Sequence, residues 1–312
     1  MREHFIIGSR GSKLALWQSE WVRSRLRELR PEAEIRIEVI KTSGDVMLNV
    51  PLAVIGGKGV FTKELEEALL AGEIDLAVHS LKDLPTTLPD DLAITSITER
   101  EDARDALVLR EGVAARHNSL GELPRGAIVG TSSLRRQAQL KHLRPDVQIR
   151  DLRGNVDTRL RKLDEGGYDA IILASAGLRR LGFERRIDAA ISHEEMLPAV
   201  GQGALGIETR AGDARTAALV SLLDDAPTRA ACTAERALLY ALGGGCQVPI
   251  AAHATVRPGS LRLEALVAAL DGGQVIRDVI EDESAHAARA GATLAARLRE
   301  RGAETLLAGL TL

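Results

Sequence analysis

Cys246 stands in Gly243-Gly244-Gly245-Cys246-Gln247-Val248-Pro249, after a helical apolar pattern and before a strand pattern. Glycines admit backbone conformations closed to other residues, so this thiol can turn toward a cleft and act as a nucleophile. A free cysteine is also a small buried hydrophobe. The only other cysteine is Cys232. Asp83 lies in Val78-His79-Ser80-Leu81-Lys82-Asp83-Leu84-Pro85, just past a strand pattern. A carboxylate placed there can move a proton or stabilise a cation, or it can cap a turn before proline.

The third chemical feature is a bank of cations. Residues 131–162 hold nine: Arg135, Arg136, Lys141, Arg144, Arg150, Arg153, Arg159, Arg161 and Lys162. Asp146, Asp151 and Asp157 oppose them, so the window nets +6 while the whole chain is −3, leaving −9 elsewhere. Within it, Gly130-Thr131-Ser132-Ser133-Leu134-Arg135-Arg136 ends a strand and starts a helix. Hydroxyls, free N–H groups and the helix dipole make that an anion site, and two arginines add charge-assisted bonds. The same pattern also fits an N-cap followed by a solvated basic face. Leu152-Arg153-Gly154-Asn155-Val156-Asp157-Thr158-Arg159 repeats the theme, and Arg179 and Arg180 follow a third strand. A lone presented thiol beside clustered guanidiniums implies covalent chemistry on a polyanionic small molecule.

Other classes fit less well. Aromatic residues are 2% of the chain and none falls in the basic window, so stacking platforms for single-stranded nucleic acid are missing. The net charge disfavours a general nucleic-acid or membrane-surface binder. No apolar run approaches the ~20 residues that span a bilayer, and the start, Met1 to Gly8, has too short an apolar stretch for a secretory signal. The expected location is therefore the cytoplasm. No CxxC or clustered Cys/His spacing points to zinc, and His79, His117, His142 and His193 fall in different elements.

The elements that must position these residues alternate. Strand patterns cover 5–8, 35–39, 74–79 and 92–97, then 105–109, 127–130, 147–152 and 168–174. Helix patterns fall at 12–29, 62–71, 134–143, 156–165 and 176–181, and later at 213–223 and 228–242. Such alternation predicts an α/β fold with mostly parallel sheets and ligands at the carboxyl ends of strands. Residues 196–203 read as a crossover, hinge or return strand. Strands at 248–256, 261–270 and 275–281, with an Asp271-Gly272-Gly273 turn, predict a small final sheet closed by a helix over 284–301.

Taken in order, seven segments resemble porphobilinogen deaminases: Ser9 to Gln18, Gly56 to Phe61, Val78 to Pro85, Gly130 to Arg136, Leu152 to Val156, Leu197 to Gly203 and Gly244 to Pro249. The resemblance spans nearly the whole chain. It implies three α/β domains: 1–98 with 200–221, then 103–197, then 226–312. The first two would resemble the lobes of periplasmic solute-binding proteins, and the third would be a three-stranded antiparallel sheet with helices. It implies a dipyrromethane cofactor joined by a thioether to Cys246, and addition of four porphobilinogen molecules with loss of ammonia to give hydroxymethylbilane. Asp83 would be the catalytic carboxylate. Ser12, Lys82, Asp83, Thr131, Ser132, Arg135, Arg136 and Arg153 would hold the cofactor, and Arg10, Lys58, Arg159 and Arg180 the substrate. Residues 42–59 would form a mobile loop over the cleft. Partners would be limited to the substrate, with no nucleic acid and no membrane, and the chain would be a monomer. Two departures are Val54, where a lysine is usual, and Ser9, where threonine is common. The rival reading is a non-catalytic anion- or solute-binding protein, which the third unit with Cys246 disfavours.

Overall fold

In the computed structural model, the described residues are 3–42, 62–111, 119–244 and 248–308. They build three sheets. The first has the order β2 (Glu34–Val39), β1 (His4–Ser9), β3 (Leu76–Ser80), β10 (Leu205–Arg210), β4 (Leu92–Ile97). The second has the order β7 (Gln148–Arg150), β6 (Ile128–Gly130), β8 (Ala170–Ala174), β5 (Asp105–Leu109), β9 (Ala189–Ala190). The two share one topology. In each, three parallel neighbours are followed by an antiparallel strand and then by an edge strand paired antiparallel to it. The chain leaves the first sheet after β4, builds the second starting with its antiparallel strand β5, and returns to supply β10. The mostly parallel arrangement read from the sequence therefore holds, with one reversed strand per sheet.

By packing, the chain divides into two compact units. One is 1–101 with 204–229, and the other is 102–203 with 230–312. In the first unit, Phe5, Ile7, Leu76, Val78 and Ile207 pack on Val22 and Leu26 of helix Lys13–Leu29, while Ala77 and Ile74 pack on Leu65 and Leu69 of helix Lys63–Leu70. Both sheet faces are thus covered, as parallel sheets require.

The second unit repeats this. Along β5, Leu107 and Leu109 join a core with Leu140 of helix Leu134–Leu143, and Ala106 and Val108 join the opposite one with Leu160 and Leu178. The strand period of two sorts neighbouring residues onto opposite faces. The same unit holds the third sheet, β11 (Ile250–Arg257), β12 (Ser260–Ala268) and β13 (Val275–Glu283), antiparallel throughout. One face packs on Leu238 of helix Ala226–Ala241 and on Leu294 and Leu298 of helix Ala287–Glu300. The other face meets Ala138 and Leu197. Its hairpin turn presses on helix Leu134–Leu143, where a Cβ on Gly272 would lie 2.4 Å from the backbone nitrogen of His142. Among the described residues, no helix is long and apolar enough to cross a membrane.

Candidate active site

In the first unit, β1 and β3 are adjacent parallel strands. The segments after their carboxyl ends carry Arg10, Ser12, Lys82 and Asp83. Ser12 caps helix Lys13–Leu29, its Oγ accepting the Ala15 N–H at 3.3 Å. Gln18 on the same helix donates from Nε2 to Ser80 Oγ at 2.8 Å, tying that helix to the end of β3. The chain then makes a 3-10 turn, Leu81–Asp83, anchored by the buried side chains of Leu81 and Leu84 and by a 3.0 Å bond from Leu81 N–H to Ala204 O. Between those anchors Asp83 is left exposed. Two buried leucines bracketing two polar residues thus present a carboxylate at the end of the strands where ligands of such folds bind.

In the second unit, β7, β6 and β8 run parallel and end at one edge. Thr131, Ser132, Arg135 and Arg136 follow β6, Arg153 and Arg159 follow β7, and Arg180 follows β8. Gly130 closes β6 because a Cβ there would stand 2.8 Å from the Tyr168 ring. Thr131 is buried, its Oγ1 accepting the Ser133 N–H at 3.3 Å. The carbonyl of Gly154, whose φ is +115°, accepts from Arg159 Nε at 2.7 Å. Arg180 Nη2 donates to Gly203 O at 2.6 Å. Arg153 is half-buried.

Arg135 and Arg136 are each only 5% exposed. They are therefore not a solvated basic face, the plainer of the two sequence readings. Arg135 Nη1 donates to Asp105 Oδ2 and Arg136 Nη2 to Asp105 Oδ1, both at 2.7 Å, and Asp105 is fully buried. Two cations in the first turn of a helix oppose its dipole, and Asp105 offsets that. Burial raises the Asp105 carboxyl, but the charges and hydrogen bonds of Arg135 and Arg136 outweigh it and hold the group well below the usual carboxylate range. Burial in turn pulls Arg135 down from the usual guanidinium value, against the attraction of Asp105. Two guanidiniums share one carboxylate, so the cluster carries a surplus positive charge. Arg136 Nε is buried and meets no hydrogen-bond partner among the described residues. Such a cluster is chemically suited to one further carboxylate.

Asp105, Gln202 and Glu235 were not singled out by their spacing. The available signal was a lone acid opening the apolar strand Asp105-Ala106-Leu107-Val108-Leu109. Cys246, Lys58 and residues 43–59 with Val54 lie outside the described residues. Cys232 is fully buried.

Two family models match the chain: "Porphobilinogen deaminase, dipyromethane cofactor binding domain" over residues 5–218, and "Porphobilinogen deaminase, C-terminal domain" over residues 229–300. A porphobilinogen deaminase of Syntrophotalea carbinolica is 53% identical over 304 residues, covering 97% of this chain and 95% of that relative. One of Chlorobium chlorochromatii is 50% identical over 311 residues, covering 98% of each. Among solved structures, the second substrate binding domain of a putative amino acid ABC transporter from Streptococcus pneumoniae is 14% identical. It covers 77% of this chain and 94% of that one, with a TM-score of 0.45.

Proposed function

Because the chain belongs to the porphobilinogen deaminase family, we propose that its strand-end arginines, Asp83 and Cys246 carry out that family's reaction. The enzyme is a transferase of tetrapyrrole biosynthesis with a dipyrromethane cofactor. It joins four porphobilinogen molecules head to tail with loss of ammonia, and hydrolysis frees hydroxymethylbilane.

The observation that carries the assignment of residues is the Arg135–Asp105–Arg136 cluster, buried with one positive charge in surplus. Each porphobilinogen unit brings carboxylates, so the group built from it fits this cluster. When bound, dipyrromethane supplies the nucleophilic pyrrole carbon to which the first unit is added. Arg135, Arg136, Arg153, Ser12, Lys82, Thr131 and Ser132 bind its carboxylates and fix its register. Arg10, Lys58, Arg159 and Arg180 bind those of incoming substrate. Asp83, exposed at the end of β3, accepts pyrrole N–H groups, stabilises the cation left when ammonia departs, and moves protons. Burial of Cys232 in the core leaves Cys246 as the thiol for thioether attachment. The third sheet, with its helices, is a domain of its own that carries this cysteine. The enzyme works as a cytoplasmic monomer.

The test is to incubate purified protein with porphobilinogen and measure ammonia and linear tetrapyrrole together. Ammonia released in step with substrate consumption is expected. A non-catalytic binder would hold porphobilinogen and release none.

A further inference from the structure

The guanidinium pair and the return crossover share one buried carboxylate. Asp105 Oδ1, which accepts from Arg136, also accepts from Gln202 Nε2 at 2.8 Å, and that nitrogen donates to Ala103 O at 2.7 Å. Gln202 lies in the crossover 196–203 and is itself buried. At the start of this segment, Leu197 O accepts from Arg135 Nη1 at 2.6 Å and from Gln139 Nε2 at 3.1 Å, and Leu197 N–H donates to Gln139 Oε1 at 2.8 Å. Next to Gln202, Gly201 N–H donates to Oε2 of the buried Glu235 at 2.7 Å, and Glu235 Oε1 takes the Ala254 N–H at 2.8 Å. Two buried carboxylates therefore grip adjacent residues near the end of the crossover, and one of them is the counter-ion of the arginines.

A guanidinium is a planar fork on a long, rotatable stem, and its value as a carboxylate receptor depends on where the fork points. Each oxygen of Asp105 takes one fork, which sets both orientations at once. The carboxylate plane is in turn held by the Gln202 amide. Loss of that amide leaves the charges in place but frees the carboxylate to rotate, and both forks with it.

Building on the carboxylate-binding role given above to Arg135 and Arg136, we propose that Asp105 and Gln202 are positioning residues for that site. Asp105 aims the two guanidiniums at the carboxylates of cofactor and growing chain. Gln202 makes the geometry of the crossover a determinant of how tightly those carboxylates are held.

The decisive variant is Gln202→Met in the holoenzyme, which keeps the volume and removes the donor. Asp105→Asn leaves two buried guanidiniums without a counter-ion and is prone to misfold, so Asp105→Glu, which keeps the charge and shifts it by one methylene, serves as the second variant. Both are expected to fold and to carry the cofactor mass. Both should lower kcat about tenfold with a smaller change in KM for porphobilinogen, because the misaimed guanidiniums hold the covalent cofactor and growing chain and not the incoming unit. Wild-type kcat in the folded variants, with or without a lower urea midpoint, would overturn the proposal. So would a rise in KM at unchanged kcat. Failure of the underlying function would appear separately, as wild-type protein that releases no ammonia.

Discussion

Ser132 and Leu152 exchange two hydrogen bonds: Ser132 Oγ donates to Leu152 O at 3.1 Å and accepts the Leu152 N–H at 3.0 Å. One hydroxyl, with its single proton and its lone pairs, thereby joins the segment after β6 to the segment after β7. Thr131 and Arg153, neighbours of these two residues, are held in one frame. Ser132→Ala strands both backbone groups of Leu152. We expect a loss of about 1–3 kcal/mol in urea denaturation, together with a lower kcat. An unchanged denaturation midpoint would mean that water replaces the hydroxyl at no cost.

Asp83 is exposed, whereas its anchors Leu81 and Leu84 are buried. Asp83→Asn should therefore leave stability within about 0.5 kcal/mol of wild type while turnover falls on the order of 100-fold or more. The paired measurement is a thermal melt and the rate of ammonia release. Near-normal kcat would remove Asp83 from the mechanism.

Arg153 follows β7 at the edge shared with the other arginines. Arg153→Ala should slow later additions more than the first, because carboxylates accumulate as the chain grows. Mass spectrometry of the enzyme under limiting substrate should then show one- and two-unit intermediates in excess. Unchanged elongation kinetics would reduce Arg153 to surface charge.

The depressed Asp105 carboxyl has a consequence for acid stability. Its native proton affinity lies below the usual range, whereas in the unfolded chain it returns to roughly 3.9. The unfolded state therefore binds the proton first, and the stabilisation is complete above about pH 4 and lost as pH falls below it. Wild type and Asp105→Glu should accordingly both lose stability across that window. A folded Asp105→Asn would be weaker at pH 7, and its gap to wild type would narrow steadily as pH falls below about 4. A gap independent of pH would contradict the ion-pair account.

The strands that carry the site were legible because short apolar runs such as Phe5–Gly8 and Ala106–Leu109 are bounded by polar or glycine-rich segments. Strand ends were legible for the same reason, so Asp83, Arg135 and Arg153 were found where the sheets place them. Strand β10 was less so. The crossover reading stopped at Gly203, and Leu205–Arg210, buried along nearly its whole length, shows no alternation of polar and apolar residues to mark it. The pairing of Asp105 with Arg135 and Arg136 joins residues about thirty apart through tertiary structure. Local pattern shows two cations against a helix dipole and cannot show the anion that offsets them. The left-handed turn at Gly154, by contrast, follows from chemistry visible in Arg153-Gly154-Asn155, since only glycine takes φ +115° without strain.

The central claim is a covalent dipyrromethane on Cys246, and the intact mass of purified wild-type protein beside Cys246→Ser tests it most directly. The account predicts an added mass of two pyrrole units on wild type that is absent from the variant. Wild-type protein that stays unmodified after incubation with porphobilinogen, or an adduct that persists on Cys246→Ser, would contradict it.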